Sequence, residues 1–490
     1  MNAARVRAPR ARPPAALALG VALAAFAALS GDLIRQERAA LPGGPAPNVV
    51  LVVIDTLGAR HVGHLLRPGP ERSHTPEIDA PAGSHTPEID ALARRGATFV
   101  NAYSPAPWTR PAIASLFTGR MPSRHGVEGP VDRLAQRHAT LAEELAARGY
   151  ATAAITSQPL LRLGAGYRQG IETYDDSHAL GRDAVTARSV TDAAIAWVDA
   201  HARERFFLLA YYFDPHDAYQ HHEAHDLTSG YEGPLEPGMD VWELRERRAA
   251  LGPADRAYLV GLHREEIAHT DAEVGRLLRH LGLRGLERDT LVVLTSDHGE
   301  ELLEHGWIGH MRTLYDELLH VPLVISLPGR IAPQRIEDPV SLLDVRPTIL
   351  AVAGAQSRDE ERAQDGVSLV RALRGDARAL ADRALYAEVD YAPPEAGDHR
   401  EALTAHKTAL FGRRWKLVHD LPSGRFELYD RESDPAETRD LWGRAPEGLR
   451  MRSELLAFER SRPGRSAPPA SAMAPDSADL ARLRELGYLR

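Results

Sequence analysis

Asp55 closes the run Asn48-Val49-Val50-Leu51-Val52-Val53-Ile54, and Asp297 with His298 closes a second run, Leu291 to Ser296. Both runs are apolar and mostly aliphatic, a composition that suits strands buried on both faces of a mostly parallel sheet. In open α/β sheets, ligands bind at the carboxyl ends of such strands. Two carboxylates and an imidazole delivered there form an oxygen-and-nitrogen set fit for a divalent cation. The competing reading of the Asp-His pair is a hydrogen-bonded loop. Thr109, in Pro107-Trp108-Thr109-Arg110-Pro111, places a hydroxyl just ahead of an apolar helix with a proline in its first turn. The helix dipole and free backbone N–H groups at that point favour a nucleophile and receive a tetrahedral oxyanion, and the same position also suits a plain helix cap.

The elements that position these residues are legible as alternating helical and apolar stretches. Leu141 to Arg148 and Asp183 to His201 read as helices, and Ala151 to Ile155 and Phe206 to Tyr212 as strands, which predicts a layered α/β domain. SHTPEIDA at Ser73 to Ala80 recurs at Ser84 to Ala91. One short repeat cannot build a solenoid, so it reads as a loop duplication whose second copy leads into a helix from Ile89 to Arg95. After about Gly375, Arg383 to Val389, Leu410 to His419 and Phe426 to Tyr429 read as short strands of a smaller α+β domain. The chain has 490 residues, a net charge of −9 and 43% hydrophobic content. That balance excludes a wholly disordered chain, a coiled coil or a polyanion-wrapping protein. The absence of cysteine excludes disulfides, thiolate metal sites and a Cys nucleophile.

Seven ordered blocks make the sequence resemble the sulfatases of the alkaline phosphatase superfamily. They are PNVVLVVIDTL (Pro47 to Leu57), HTPEIDALARRG (His85 to Gly96), the Thr109 segment through SLFTGRMPSRHGV (Ser115 to Val127), YYFDPHDAY (Tyr211 to Tyr219), LTSDHGEELLEHG (Leu294 to Gly306), YDELLHVPLVISLPG (Tyr315 to Gly329) and ELYDRESDPAETRDL (Glu427 to Leu441). The resemblance implies an α/β, alkaline-phosphatase-like sandwich with a central mostly parallel sheet flanked by helices, plus a smaller C-terminal α+β domain. It implies one divalent metal ion, Ca²⁺ first and Mn²⁺, Mg²⁺ or Zn²⁺ as alternatives, held by Asp55, Thr109, Asp297 and His298. His216 looks like a family histidine that contacts the substrate anion or protonates the leaving group. Arg312 stands where many members place an anion-binding Lys. His305 and His310 are candidates for a second metal, for proton transfer, or for orienting the site.

The departures matter as much. Thr56 replaces a second Asp, Ile113 stands where the sulfatase signature has Arg, and Ser157 and Gln158 occupy a segment that usually carries a Lys. Thr109 stands at the position of the Cys or Ser that sulfatases oxidise to formylglycine, and a threonine cannot give that aldehyde. It could still act as a direct oxygen nucleophile, as the corresponding Thr does in related phosphodiesterases and phosphoryl-group transferases. The expected function is therefore metal-dependent hydrolysis of sulfate esters. The alternatives are a phosphoester hydrolase or phosphoryl-group transferase, and a catalytically silent protein that binds anions or glycans. His221, His222 and His225 read as a solvated loop.

Residues 1–30, with four early arginines and then an apolar Ala-rich stretch, read as a signal peptide or membrane anchor, and 31–46 as a linker. The expected divisions are a catalytic domain over 47–375, a subdomain over 376–450 and a tail over 451–490 with a short helix around Ser477 to Leu486. Such a protein would be exported, periplasmic, extracellular or anchored facing outward. Its partner would be a small-molecule or glycan sulfate or phosphate ester, with no nucleic acid.

Overall fold

The computed structural model describes residues 41, 44–66, 84–162, 166–179, 184–355, 364–376, 378–392, 404–463, 481, 483 and 484. The leader, most of the linker, the first repeat copy and most of the tail lie outside the described residues. No described helix is long and apolar enough to cross a membrane.

The central sheet is built from β1 (Asn48–Ile54), β2 (Ala97–Tyr103), β3 (Ala151–Thr156), β4 (Thr173–Asp175), β5 (Phe206–Tyr212) and β6 (Thr290–Thr295). After a small hairpin of β7 (Glu301–Leu302) and β8 (Ile308–Gly309), β9 (His320–Ser326), β10 (Gln334–Ile336) and β11 (Val340–Ser341) complete it. Its order is β10-β2-β9-β6-β1-β5-β3-β4, with β11 also on β2. Only β9 runs antiparallel to its neighbours.

Every residue of β1 is buried, and the strand alternation sends them to two different cores. Val49, Leu51 and Val53 pack with α2 (Thr109–Thr118), α3 (Leu141–Ala146) and α7 (Val345–Val352). Val50, Val52 and Ile54 pack with α1 (Pro87–Arg95), α4 (Ala187–His201) and α6 (Pro253–Leu283), while α5 (Val241–Arg247) leads into α6. The result is the three-layer sandwich expected from the continuous apolar runs. The start of α1 is satisfied from outside its own chain segment: both oxygens of Asp271 on α6 accept the free N–H groups of Glu88 and Ile89, at 3.0 and 2.8 Å.

The C-terminal sheet is antiparallel, in the order β12 (Leu385–Tyr391), β13 (Ala405–Phe411), β14 (Trp415–Asp420) and β15 (Arg425–Asp430). The single strand expected over Leu410 to His419 is split: Leu410 and Phe411 end β13, Gly412 to Arg414 reverse the chain, and Trp415 to His419 belong to β14. One face of this sheet packs on the larger, sandwich part of the chain through Ala387, Val389 and Tyr391, the last edge-on to Trp108 at 5.2 Å between ring centroids. The other receives α8 (Glu447–Ser461) through Met451 and Leu455, and this helix crosses the division expected at residue 450. Of the terminal helix, residues 481, 483 and 484 are described as helical, and Leu483 is buried beside Tyr391.

Candidate active site

β1 and β6 lie side by side with Val53 opposite Thr295. Two residues further on, Asp55 and Asp297 therefore leave the sheet together. Both are fully buried. Tyr211, opposite Val53 on β5, donates its hydroxyl to Asp55 Oδ2 at 3.1 Å and to Asp297 Oδ2 at 2.8 Å, one of them at a time. Gln158 donates its amide to Asp55 Oδ2 from the end of β3.

His298 presents Nε2 to the same point, 3.3 Å from Asp297 Oδ2 and 3.7 Å from Asp55 Oδ1. Its Nδ1 faces the Gly299 carbonyl at 2.9 Å, which can only accept. The ring proton therefore sits on Nδ1 and leaves Nε2 as a lone pair, as in a metal-binding imidazole. Thr109 Oγ1 stands 3.2 Å from that Nε2. Thr109 is not the cap of its helix: Trp108 holds the N-cap position and makes no side-chain cap.

The donor set fits a divalent cation. Asp55, Asp297 and His298 offer ligand atoms that all lie within 4.8 Å of one another. Asp55 Oδ1 is buried without a hydrogen-bond partner, a cost that a cation would relieve. Burial, and next the charge of Asp297, push the Asp55 carboxyl well above its ordinary range. Burial also pulls the His298 imidazole below its usual value. Two carboxylates with no Lys or Arg bonded to them among the described residues call for positive charge. Thr56, in the place of a second family Asp, turns its hydroxyl to the Pro215 carbonyl at 2.9 Å and so ties the DPHD loop to the end of β1.

That loop carries His216, whose Nδ1 is 2.6 Å from Asp217 Oδ1 and whose ring stacks on Phe213. Burial pulls this imidazole down, but Asp217, and then Asp55 and Glu300, raise it to about 10, so it holds its proton. His310 lies with its ring 4.5 Å from that of His298 and 5.0 Å from that of His216, and bonds Glu300 Oε1 at 3.0 Å. His305 is turned elsewhere, stacked on Tyr315 and 3.4 Å from Glu317. The guanidinium of Arg312 rests 4.6 Å from the Trp307 ring centroid, and no described bond joins it to the Asp55 group. Ile113 is fully buried in the apolar core behind the site.

Sequence reasoning brought Asp55, Thr109, Asp297 and His298 together, and the structure does the same. It missed Tyr211 and Gln158. The signal for Tyr211 was an aromatic residue at the carboxyl end of a strand, beside DPHD. Gln158 was noticed only as a missing cation. His221 and His222 are not simply solvated: they pair with the buried Glu265 and Glu266 at 2.8 and 2.7 Å.

The family described as Sulfatase matches residues 47–355, and the one described as N-sulphoglucosamine sulphohydrolase, C-terminal, matches 303–456. A choline-sulfatase of Rhizobium meliloti is 28% identical over 85% of this chain and 86% of its own. A Δ4,5-hexuronate-2-O-sulfatase of Bacteroides thetaiotaomicron is 24% identical over 81% and 84%. Among solved structures, a protein bound to its substrate D-glucosamine-2-N,6-O-disulfate superposes with a TM-score of 0.67 at 20% identity, over 85% of this chain and 97% of that one. A phosphonate monoester hydrolase of Silicibacter pomeroyi gives 0.68 at 21%, over 85% and 96%. With the two strand-end carboxylates, the threonine and the imidazole in one buried group, and with the family match spanning the whole central sheet, the chain belongs to the sulfatase family of hydrolases.

Proposed function

We propose that the protein is a metal-dependent sulfate-ester hydrolase in which the Thr109 hydroxyl is the nucleophile. The observation that carries this reading is Thr109 Oγ1 at 3.2 Å from His298 Nε2, on the edge of the Asp55–Asp297–His298 group. Those three residues, with Thr109, would hold the ion. When bound, the ion polarises the ester oxygen and favours the alkoxide form of the nucleophile.

The remaining work falls to the chain. Thr109 Oγ1 attacks the central atom of the ester as the bond to the alcohol breaks, and its hydroxyl proton is released. The alcohol oxygen takes a proton from Nε2 of His216, whose Nδ1 is held by Asp217. Water then displaces Thr109, which regains its proton, and His216 is reprotonated. Arg312 offers a planar fork to the anionic oxygens. A second reading, phosphoester hydrolysis, is favoured by Thr109 itself, since a threonine hydroxyl can accept a phosphoryl group without prior oxidation. We also place the protein outside the cytoplasm, soluble or anchored by residues 1–30, on the basic-then-apolar start of the sequence.

The test is turnover of matched aryl sulfate, phosphate and phosphodiester substrates by the purified protein with Ca²⁺, Mn²⁺, Mg²⁺ or Zn²⁺. The preferred ester decides sulfur against phosphorus. No turnover of any ester with any ion would leave the anion-binding reading.

A further inference from the structure

Trp307, in the loop between β7 and β8, is 4% exposed and gathers three guanidinium groups. Their central carbons lie 4.6 Å (Arg312), 5.2 Å (Arg248) and 5.3 Å (Arg245) from its ring centroid. Arg245 is committed inward: its Nε donates to the Ile308 carbonyl at 2.8 Å, and it lies close to the charges of Asp217 and Glu300. Arg248 and Arg312 are different. Neither reaches a carboxylate among the described residues, and Arg248 makes a single hydrogen bond, to the Arg245 carbonyl, from an exposed position. Other arginines near the hairpin do have carboxylate partners: Arg60 and Arg256 both reach Glu304. Two unpaired cations against one indole in a chain of net charge −9 therefore need an explanation.

Their location supplies it. Trp307 shares an apolar cluster with Trp108, the residue before the nucleophile, and with Phe213, on which His216 is stacked. The Met311 N–H, next to Arg312, donates to the Pro107 carbonyl at 3.1 Å. Half-buried Arg312 thus sits beside the residues that lead into Thr109, and Arg248 is the exposed cation against the same indole. A guanidinium lying against an indole keeps its N–H edge available for paired bonds to an oxyanion. Both guanidinium carbons lie within 5.2 Å of the one ring centroid, and like charges held that near each other are offset by an anion that reaches both.

We propose that Arg248 and Arg312, set against Trp307, form an outer subsite for a second anionic group of the substrate. The substrate is then a polyanionic ester, carrying another sulfate, phosphate or carboxylate beside the ester that is cleaved. This rests on the reading of the Thr109 group as an ester-cleaving site, with Arg312 shared by the two anionic groups and Arg248 belonging to the second alone.

The experiment compares wild type with Arg248→Ala and Arg248→Glu on an aryl ester and on the same ester bearing a second sulfate, a phosphate or a carboxylate. The expected result is a roughly tenfold loss of kcat/KM on the doubly charged esters for Arg248→Ala. The loss should be larger for Arg248→Glu and should shrink at high salt, with the singly charged ester unaffected. The three arms show which second group the subsite takes. Equal losses on all esters, or no loss on any, would overturn the proposal. If no ester turns over, calorimetric titration with sucrose octasulfate separates the two ideas. Roughly tenfold weaker binding to Arg248→Ala keeps the subsite while the ester-cleaving reading falls, and unchanged binding removes the subsite as well.

Discussion

Replacing Thr109 by alanine removes the proposed nucleophile but no core contact larger than a methyl and a hydroxyl. Turnover should fall roughly a thousandfold or more with the fold intact, whereas Thr109→Ser should retain activity. Steady-state kinetics beside a thermal melt check both, and an active alanine variant would rule out the nucleophile. Tyr211 makes a second prediction, because its hydroxyl is shared between Asp55 and Asp297 and fixes how their free oxygens point. Tyr211→Phe should weaken metal binding by about tenfold, read by titration against a chelator. Tighter binding would mean that the hydroxyl competes with the ion. At this scale the sequence disclosed the residues that end strands or start a helix, since those positions follow from chain order alone. Tyr211 and Gln158 act across strands, through a register that no single segment records. Arg312 was read as an anion contact, yet its packing against Trp307 depends on a tertiary contact that its own neighbours in the sequence do not announce.

Helices and strands carry their own pH dependence. His125, just past α2, accepts the Val127 N–H on Nδ1 at 3.1 Å and faces Ser115 Oγ through Nε2 at 3.0 Å. A proton on Nδ1 would break the first of these bonds. Burial, and next the neighbouring His138, lower this imidazole to about 3. The unfolded chain binds that proton near its ordinary value of about 6.5. Between the two values the unfolded state carries more protons, so the stability is present above about 6.5 and is lost as pH falls towards 3. His125 alone should contribute a slope of about 1.4 kcal/mol per pH unit in that window. Urea denaturation from pH 7 to 4.5 should show it, with a shallower slope for His125→Gln. An unchanged slope would assign the acid sensitivity to other buried histidines. Strands such as Phe206–Tyr212 matched their apolar runs because both faces are covered and nothing interrupts them. The β13–β14 turn was misread because Gly412 sits inside an otherwise apolar and basic run, with no second turn residue to mark the reversal.

The two sheets of the molecule are joined by charge as well as by apolar contact. Lys416 on β14 is fully buried, with Nζ 2.9 Å from both Asp316 and Glu437, and Arg431 reaches Asp316 at 2.8 Å. Asp316 opens the short helical turn that leads into β9, so these ion pairs fix the C-terminal sheet to the start of β9 in the central sheet. Lys416→Met would leave two buried carboxylates without their main cation, at a cost of about 3–5 kcal/mol, measured as a fall in the urea midpoint. A loss under about 1 kcal/mol would show that Arg431 compensates. The architecture was legible at this scale because alternating segments leave few ways to cover a sheet. The contact between the sheets was not, because it depends on pairing Asp316 with cations 100 and 115 residues further along the chain. β1 stands between β5 and β6, and its partners begin at residues 206 and 290. A ribosome adding roughly 5–20 residues per second needs about 10 to 50 seconds after completing β1 to make the second of them. Throughout that interval a seven-residue segment, NVVLVVI, with no charge, proline or glycine, has the composition that pairs with copies of itself. The strand that places Asp55, the first carboxylate of the candidate metal group, is thus also the segment a nascent chain must keep from sticking, and a holding chaperone would act there first.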